Sequence, residues 1–189
     1  VGLEKNPGFD LMKPKLIKRA LMAGVYGDTL MRILYRTRPY EEVPGTADAL
    51  AELWSGIAKK NLHNGSMKEF KKNIKAMVNE FDNLPLKDVK KPRVGVVGEI
   101  LVKYHPTANN DIVGVIEHEG GESVVLDLID FFLYGMYSKK FNYEHLSGSK
   151  KAMIMNGAAI KMIEYFRKPA RKALKASKLF EAPALIQHT

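Results

Sequence analysis

The segment 93–126 constrains the fold most, because two short β-branched runs flank an amphipathic helical pattern. The first run, RVGVV at 93–97, follows Lys-Lys-Pro and is typical of a buried parallel strand. The second run, ESVVL at 122–126, comes directly after Gly120-Gly121, which ends the helical pattern. Strand, helix and strand within about 35 residues match a βαβ unit. We therefore expect the two runs to lie side by side as parallel strands.

Helices are predicted on both sides of this unit. Apolar residues recur at three- and four-residue steps over 14–35, over 46–60 with Thr46 as N-cap, and after the Ser66/Glu69 capping box. The residues expected to face inward in the second and third helices are Ala47, Leu50, Leu53, Trp54, Ile57, Phe70, Ile74, Met77, Val78 and Phe81.

The C-terminal part predicts an aromatic-rich helix or turn over 128–137 and a long helix from 150 to about 167. Ser149 is its expected N-cap, and Pro169 is expected to interrupt it before a shorter helix resumes. The fold class is thus α/β, a Rossmann-like parallel sheet segment flanked by helices, with a helical N-terminal part. We divide the chain into a helical segment, 1–89, and a Rossmann-like segment, 90–189, which form one compact fragment of a larger protein.

The excess of positive over negative charge arises in one stretch. The chain carries a net charge of +9, and residues 139–178 hold eleven basic residues against Glu144 and Glu164, which accounts for all of it. A basic helix of this kind is more often a solvated face than a nucleic-acid patch, so nucleic acid is not the expected partner.

The chain has no cysteine, which excludes disulfides and thiolate metal sites and favours a cytoplasmic location. No apolar run approaches the roughly 18 residues of a membrane span, and residues 1–10 lack a secretory signal pattern, so no membrane partner is expected.

The loop after the first strand, predicted over 98–109, is the first candidate site. Ligands of open α/β sheets bind outside the carboxyl ends of the strands, where a helix N-terminus also favours phosphate or carboxylate. The loop and the helix start after it provide the candidate ligand-binding residues Glu99, Tyr104, His105, Asn109 and Asn110. A structural interpretation stays open, in which Glu99 bonds loop amides, His105 begins a rigid turn and Asn109 caps the next helix.

The segment RTRPYE at 36–41 is the second candidate site. Its guanidinium groups, from Arg36 and Arg38, lie beside Tyr40 at a helix end and suit a phosphate or carboxylate. A salt-bridged helix terminus is the equal alternative. No G-x-G-x-x-G or Walker A pattern occurs, and no metal site is predicted.

These motifs carry a family resemblance over roughly residues 15–180. RTRPYE at 36–41, RVGVVGEI at 93–100, KYHPTANND at 103–111 and EGGESVVLDLIDFFLYG at 119–135 resemble the region shared by long 2-hydroxyacyl-CoA dehydratase activase-related proteins. That region is also similar to the 2-hydroxyglutaryl-CoA dehydratase-like subunits that hold a [4Fe-4S] cluster.

The resemblance implies a part in anaerobic metabolism, in which an ATP-hydrolysing activator passes an electron to a dehydratase that removes water from a 2-hydroxyacyl-CoA. This chain contains neither the ATPase module nor the family's cysteines. The [4Fe-4S] cluster and ATP are therefore expected only in the parent protein or its partners. The fragment is expected to be inactive alone.

The expected partners are other domains of the same polypeptide or a dehydratase component, with acyl-CoA as a candidate ligand. The resemblance implies that seven of the candidate residues shape a substrate or cluster cleft, namely Glu99, Tyr104, His105, Asn109, Arg36, Arg38 and Tyr40. The alternative is a self-contained module that binds CoA or another phosphate-bearing ligand.

Overall fold

The computed structural model describes residues 13–146 and 149–184. Short 3-10 turns occur at Arg38–Tyr40 and Pro106–Ala108. The helices and strands are α1 (Pro14–Thr37), α2 (Thr46–Asn64), α3 (Met67–Asp82), β1 (Arg93–Val96), α4 (Ile100–Tyr104), α5 (Ile112–His118), β2 (Glu122–Val125), α6 (Leu128–His145) and α7 (Lys150–Ala176).

The described chain is mostly helical and contains one small parallel sheet. β1 pairs with β2, with Arg93 opposite Glu122 and Val96 opposite Val125. The predicted parallel neighbours are therefore confirmed, and the fold is a mixture of helices and strands. In the described residues the sheet has these two strands only.

One hydrophobic core joins the helices that precede the sheet in the sequence with those that follow it. Its buried side chains come from α1, α2, α3, α6 and α7, and the most completely enclosed include Met22, Ile33, Phe70, Ile74, Phe81, Leu133 and Leu174. Each such side chain stabilises the fold by about 1.5–3 kcal/mol. The residues of segments 1–89 and 90–189 therefore share a core.

The start of α3 shows how the local sequence sets a helix boundary. Ser66 Oγ accepts a hydrogen bond from Glu69 N, as a capping box requires, and the predicted apolar stripe of α3 is buried. The Glu69 carboxylate does not accept a hydrogen bond from the Ser66 backbone N–H. It accepts hydrogen bonds from the side-chain amides of Asn61 and Asn64 instead. Gly65 ends α2 with a φ of 68°, a left-handed conformation that glycine adopts without strain.

Three helix predictions are corrected. Leu53 is 57% exposed, because α2 packs through the stripe that contains Ala47, Ala51 and Trp54, and Leu53 lies beside it. Gly45, not Thr46, is the N-cap of α2. Segment 98–109, predicted as a loop, contains α4, whose start is capped by a side chain within the segment itself.

Pro169 does not interrupt the last helix; α7 runs through it. A proline inside a helix costs about 3 kcal/mol, since one backbone hydrogen bond is lost and the ring crowds the preceding turn. Phe166, Ala170 and Leu174 are buried in the core on both sides of Pro169. Their packing outweighs the local penalty and keeps α7 continuous.

β1 is not the buried strand that its sequence predicts. Arg93, Val94 and Gly95 are exposed, and Val96 alone is buried, against Val113 and Ile116 of α5. The physical reason is that, in the described residues, α5 and β2 are the main neighbours of β1, so much of its surface stays open.

Among the described residues, no helix combines the length and the apolar character needed to cross a bilayer.

Candidate functional site

Glu99 lies at the carboxyl end of β1 and caps α4. Its Oε2 accepts hydrogen bonds from Leu101 N at 2.8 Å and Val102 N at 3.4 Å. The carboxylate therefore sits on the positive end of a short helix, where an N-cap residue typically contributes about 1 kcal/mol.

Asn109 joins α4 to α5. Its Nδ2 donates to Val102 O at 2.7 Å, and its Oδ1 accepts from Ile112 N at 3.2 Å. The predicted capping role is thus visible, although Asp111 occupies the N-cap position of α5. Asn110 and Asp111 have φ values of 54° and 52°, so two consecutive side chains occupy the left-handed region next to this contact.

Tyr104 closes this loop onto the end of β2. Its hydroxyl donates to Leu126 O at 2.7 Å. Burial raises the pKa of Tyr104, and the nearby charges of Asp28, Asp127 and Asp130 raise it further. The hydroxyl therefore stays protonated and acts as a hydrogen-bond donor.

The first five predicted residues thus share one rim of the sheet. Glu99, Tyr104 and Asn109 form its hydrogen-bonded framework, while exposed His105 ends α4 and exposed Asn110 precedes α5.

A partly buried ionic cluster lies beside the end of β2 and is formed by Asp28, Arg32, Asp127, Asp130, Glu164, Arg167 and Arg171. Asp127, which follows β2 closely, is the centre of the ionic cluster. Asp127 Oδ1 accepts from Arg32 Nη2 at 2.6 Å, and Asp127 Oδ2 accepts from Arg167 Nη2 at 3.2 Å. Because Arg32 belongs to α1 and Arg167 to α7, one carboxylate holds both helices at the strand end.

Asp28 of α1 caps α6 across the fold. Its carboxyl oxygens accept from Leu128 N at 2.8 Å and Ile129 N at 2.9 Å. Burial raises the pKa of Asp28 to about 7, and the charge of Asp127 adds to the rise. Asp28 can therefore exchange a proton near neutral pH.

The ionic cluster contains one more carboxyl group than guanidinium groups. Asp130 Oδ1 lies 2.8 Å from Arg167 Nη2, and Glu164 pairs with both Arg167 and Arg171. Burial also raises the pKa of Asp130, with a further contribution from Asp127. An unpaired buried charge is costly, so the excess favours a proton on one carboxyl group, and Asp28 suits that role.

Sequence reasoning missed this cluster. Asp127 follows the second strand just as Glu99 follows the first, so the strand-end rule that selected Glu99 would have selected it. Asp28, Arg32 and Arg167 carry no comparable local signal.

The second predicted group lies at the opposite end of the sheet. Glu122, which opens β2, accepts at Oε2 from Arg36 Nη1 at 2.9 Å and from the Tyr40 hydroxyl at 2.7 Å. Burial raises the pKa of Tyr40, and Glu122 raises it further. In a parallel pair the first residue of β2 and the last residue of β1 lie at opposite ends of the sheet. The structure therefore does not bring Arg36 and Tyr40 together with Glu99.

Arg38 is held by two carboxylates. It binds Glu117 with Nε and Nη2, at 2.7 and 3.0 Å, and Asp48 with Nη1 at 3.0 Å. Burial lowers the pKa of Arg38, but the hydrogen bonds with Glu117 and Asp48 more than reverse that effect. The guanidinium is thus engaged within the fold, as in the salt-bridged interpretation.

The carboxyl end of the sheet also carries exposed apolar side chains. Val97 is 82% exposed, Leu101 66% and Leu126 55%, and Phe131 of α6 is half-exposed. Single exposed apolar residues are ordinary, but this many around one strand end form a patch of the kind that marks an interaction site.

In the part of the chain that the structure describes, no group of three or more acidic or histidine side chains is arranged to hold a metal ion. Comparisons with protein-family models, curated proteins and solved structures found no match.

Proposed function

We propose that this chain is part of a 2-hydroxyacyl-CoA dehydratase activase-type protein and supplies one wall of a substrate or cluster cleft. The wall is the rim formed by Glu99, Tyr104, His105, Asn109 and Asn110. The opposite wall belongs to other domains of the same polypeptide or to a dehydratase component.

The observation that carries this proposal is the open carboxyl end of the sheet. β1 has a buried-strand sequence, yet three of its four residues are exposed, and Val97, Leu101 and Leu126 project apolar surface beside it. Parallel sheets are normally covered on both faces. An additional strand at the open edge of β1, together with a helix over its exposed face, would complete a Rossmann-like sheet and cover this surface.

The ion pairs of three arginines argue against a self-contained module for CoA or phosphate. Arg32, Arg36 and Arg38 each bind a carboxylate of the same chain. Phosphate binding would break these pairs and leave the buried carboxylates of Asp127 and Glu122 with one cation each, Arg167 and Arg93, instead of two, which is unfavourable. RTRPYE at 36–41 therefore serves to hold the amino end of the sheet.

The cofactors of the family would come from elsewhere. With no cysteine, this chain offers no thiolate for a [4Fe-4S] cluster. The proposal assigns the cluster, ATP hydrolysis and radical chemistry to the parent protein or its partners, and assigns to this chain the shaping of the cleft.

Calorimetry with CoA and a 2-hydroxyacyl-CoA tests the proposal first. The isolated chain should bind neither at micromolar concentration and should not dehydrate the thioester. Micromolar binding that Arg38→Ala abolishes would instead favour the self-contained module.

The complete reading frame provides the second test. We expect Val97→Asp in the complete protein to reduce ATP-dependent dehydration about tenfold or more, because a charge would be buried at the interface between cleft walls. Val89→Asp, at an exposed valine that precedes the amino end of β1, is the matched control and should leave activity unchanged. Equal activity of both variants would contradict the proposed wall.

A further inference from the structure

A groove between α3 and α7 lies apart from the strand-end rim and has a volume of about 550 Å³. Its floor is apolar and built mainly from Val78 of α3 and from Tyr165, Pro169, Ala173 and Ala176 of α7. The small alanine side chains leave room for close approach by another main chain. The proposed dehydratase-type function does not use this groove.

Four lysines border the floor, two on each helix. Lys71 and Lys75 on α3, and Lys168 and Lys172 on α7, are each four residues apart and exposed. Like charges at this spacing repel one another along a helix, so the arrangement does not stabilise α3 or α7.

In the part of the chain that the structure describes, none of these lysines is paired with an acidic side chain. Among the described residues, the ammonium groups of Lys75, Lys168 and Lys172 form no ion pair or hydrogen bond. The Lys71 ammonium lies 5.8 Å from the centre of the Tyr165 ring, a cation–π contact that leaves its charge available. The groove thus combines an apolar floor with unpaired lysines on both walls.

The length of the groove corresponds to a short helix. The lining residues extend over 71–82 on α3 and 165–177 on α7, each about three helical turns and about 17 Å. Asp82 lies at one end, where its carboxylate accepts from Ser177 Oγ at 2.7 Å and Lys178 N at 3.0 Å. Those bonds hold Asp82 in place but leave its charge, so the four lysines and one carboxylate give the lining a net charge of +3.

We propose that this groove binds an acidic amphipathic helix of a partner protein. The apolar stripe of that helix would lie on the alanine-lined floor, and aspartate or glutamate residues on both sides of the stripe would pair with the four lysines. Helix-in-groove recognition uses such a stripe, with anchors at three- and four-residue steps. Because the lysines are positively charged, charge complementarity requires a negatively charged partner.

The same observations disfavour three other occupants. A small anion is normally held by convergent buried donors, whereas these four cations are exposed and flexible. A nucleic acid would meet a floor with a single aromatic ring, Tyr165. A second copy of this chain carries the same net charge of +9 and would be repelled.

The test uses a fluorescent synthetic peptide of about 12 residues, with leucines at helical spacing flanked by glutamates. Fluorescence anisotropy should show saturable binding to the chain that weakens as salt rises. A peptide of the same composition with the leucine spacing scrambled should bind about tenfold more weakly, because it has no apolar stripe. Equal affinity for the two peptides would overturn the proposal.

Charge reversal locates the binding. Lys75→Glu with Lys172→Glu should weaken peptide binding about tenfold or more, while Lys59→Glu with Lys60→Glu, on exposed positions of α2, should change it less than about twofold. Circular dichroism checks that each variant folds. If the charge-reversed variant does not fold, Lys75→Gln with Lys172→Gln should still weaken binding.

Equal loss in both double variants would overturn the assignment to this groove. So would displacement of the peptide by CoA at equal concentration, or a dimer of the unmodified chain in sedimentation that Lys75→Glu with Lys172→Glu dissociates. None of these outcomes bears on the proposed cleft wall, which is tested at Val97.

Discussion

Arg167 Nη2 lies 3.2 Å from Asp127 Oδ2, with 4% of each side chain exposed. Arg167 belongs to the middle of α7, whereas Asp127 follows β2 at the end of the sheet. A buried pair is weak evidence for net stability, but removing one partner leaves an uncompensated charge. The position of the strand end relative to the helices therefore depends on this contact.

Replacing Arg167 should destabilise the fold strongly. We expect Arg167→Met to lower the free energy of unfolding by about 3–5 kcal/mol, because Asp127 and Asp130 would be left with a single cation, Arg32, near them. Urea unfolding measures this change. Lys168→Met, at the exposed neighbouring position, should stay within about 0.5 kcal/mol. A loss below about 1 kcal/mol for Arg167→Met would show that the buried pair contributes little.

The hydroxyl of Tyr40 should contribute to the opposite end of the sheet. Tyr40→Phe removes the hydrogen bond to the buried Glu122 carboxylate, and a bond to a charged group is worth about 1.5–3 kcal/mol. Thermal unfolding of Tyr40→Phe should reveal a loss of that size, and Tyr134→Phe, at an exposed tyrosine, should reveal none. Equal stability of the two variants would argue against this contact.

Asp28 should make the stability depend on pH. The pKa of Asp28 is raised to about 7, so its carboxyl group keeps a proton in the folded chain between about pH 4 and 7 while the unfolded chain releases it. The stabilisation is complete below about pH 4 and is lost as the pH rises to about 7.

Asp28→Asn cannot ionise, so its free energy of unfolding should fall less than that of the unmodified chain between pH 4.5 and 7.5. The difference should be of the order of a few kcal/mol. Asp88→Asn, at an exposed aspartate, is the control. Parallel pH profiles of Asp28→Asn and the unmodified chain would contradict the assignment of the raised pKa to Asp28.

The sequence predicted those features that depend on neighbouring residues. Ser66 and the stripe from Phe70 to Phe81 identify α3, because capping and helical periodicity act within a few residues. The β-branched runs identify β1 and β2, and their short connection implies parallel pairing.

Features that depend on distant packing were not predicted. Pro169 signals a helix break, yet buried neighbours hold α7 together. The hydrogen bonds of Asp127 reach Arg32, 95 positions away, and Arg167, 40 positions away. No local pattern in a single sequence encodes such pairings, so the ionic cluster beside the candidate rim emerged only from the structure.

The most direct test of the proposed cleft wall is hydrogen–deuterium exchange of β1 in the isolated chain and in the complete polypeptide. In a parallel strand, successive residues direct their backbone groups to opposite edges, so about half of the β1 amides face the open edge. These amides should exchange rapidly in the isolated chain and at least about tenfold more slowly in the complete protein, where another strand would bond them. Equally rapid exchange of the β1 amides in both proteins would contradict the account.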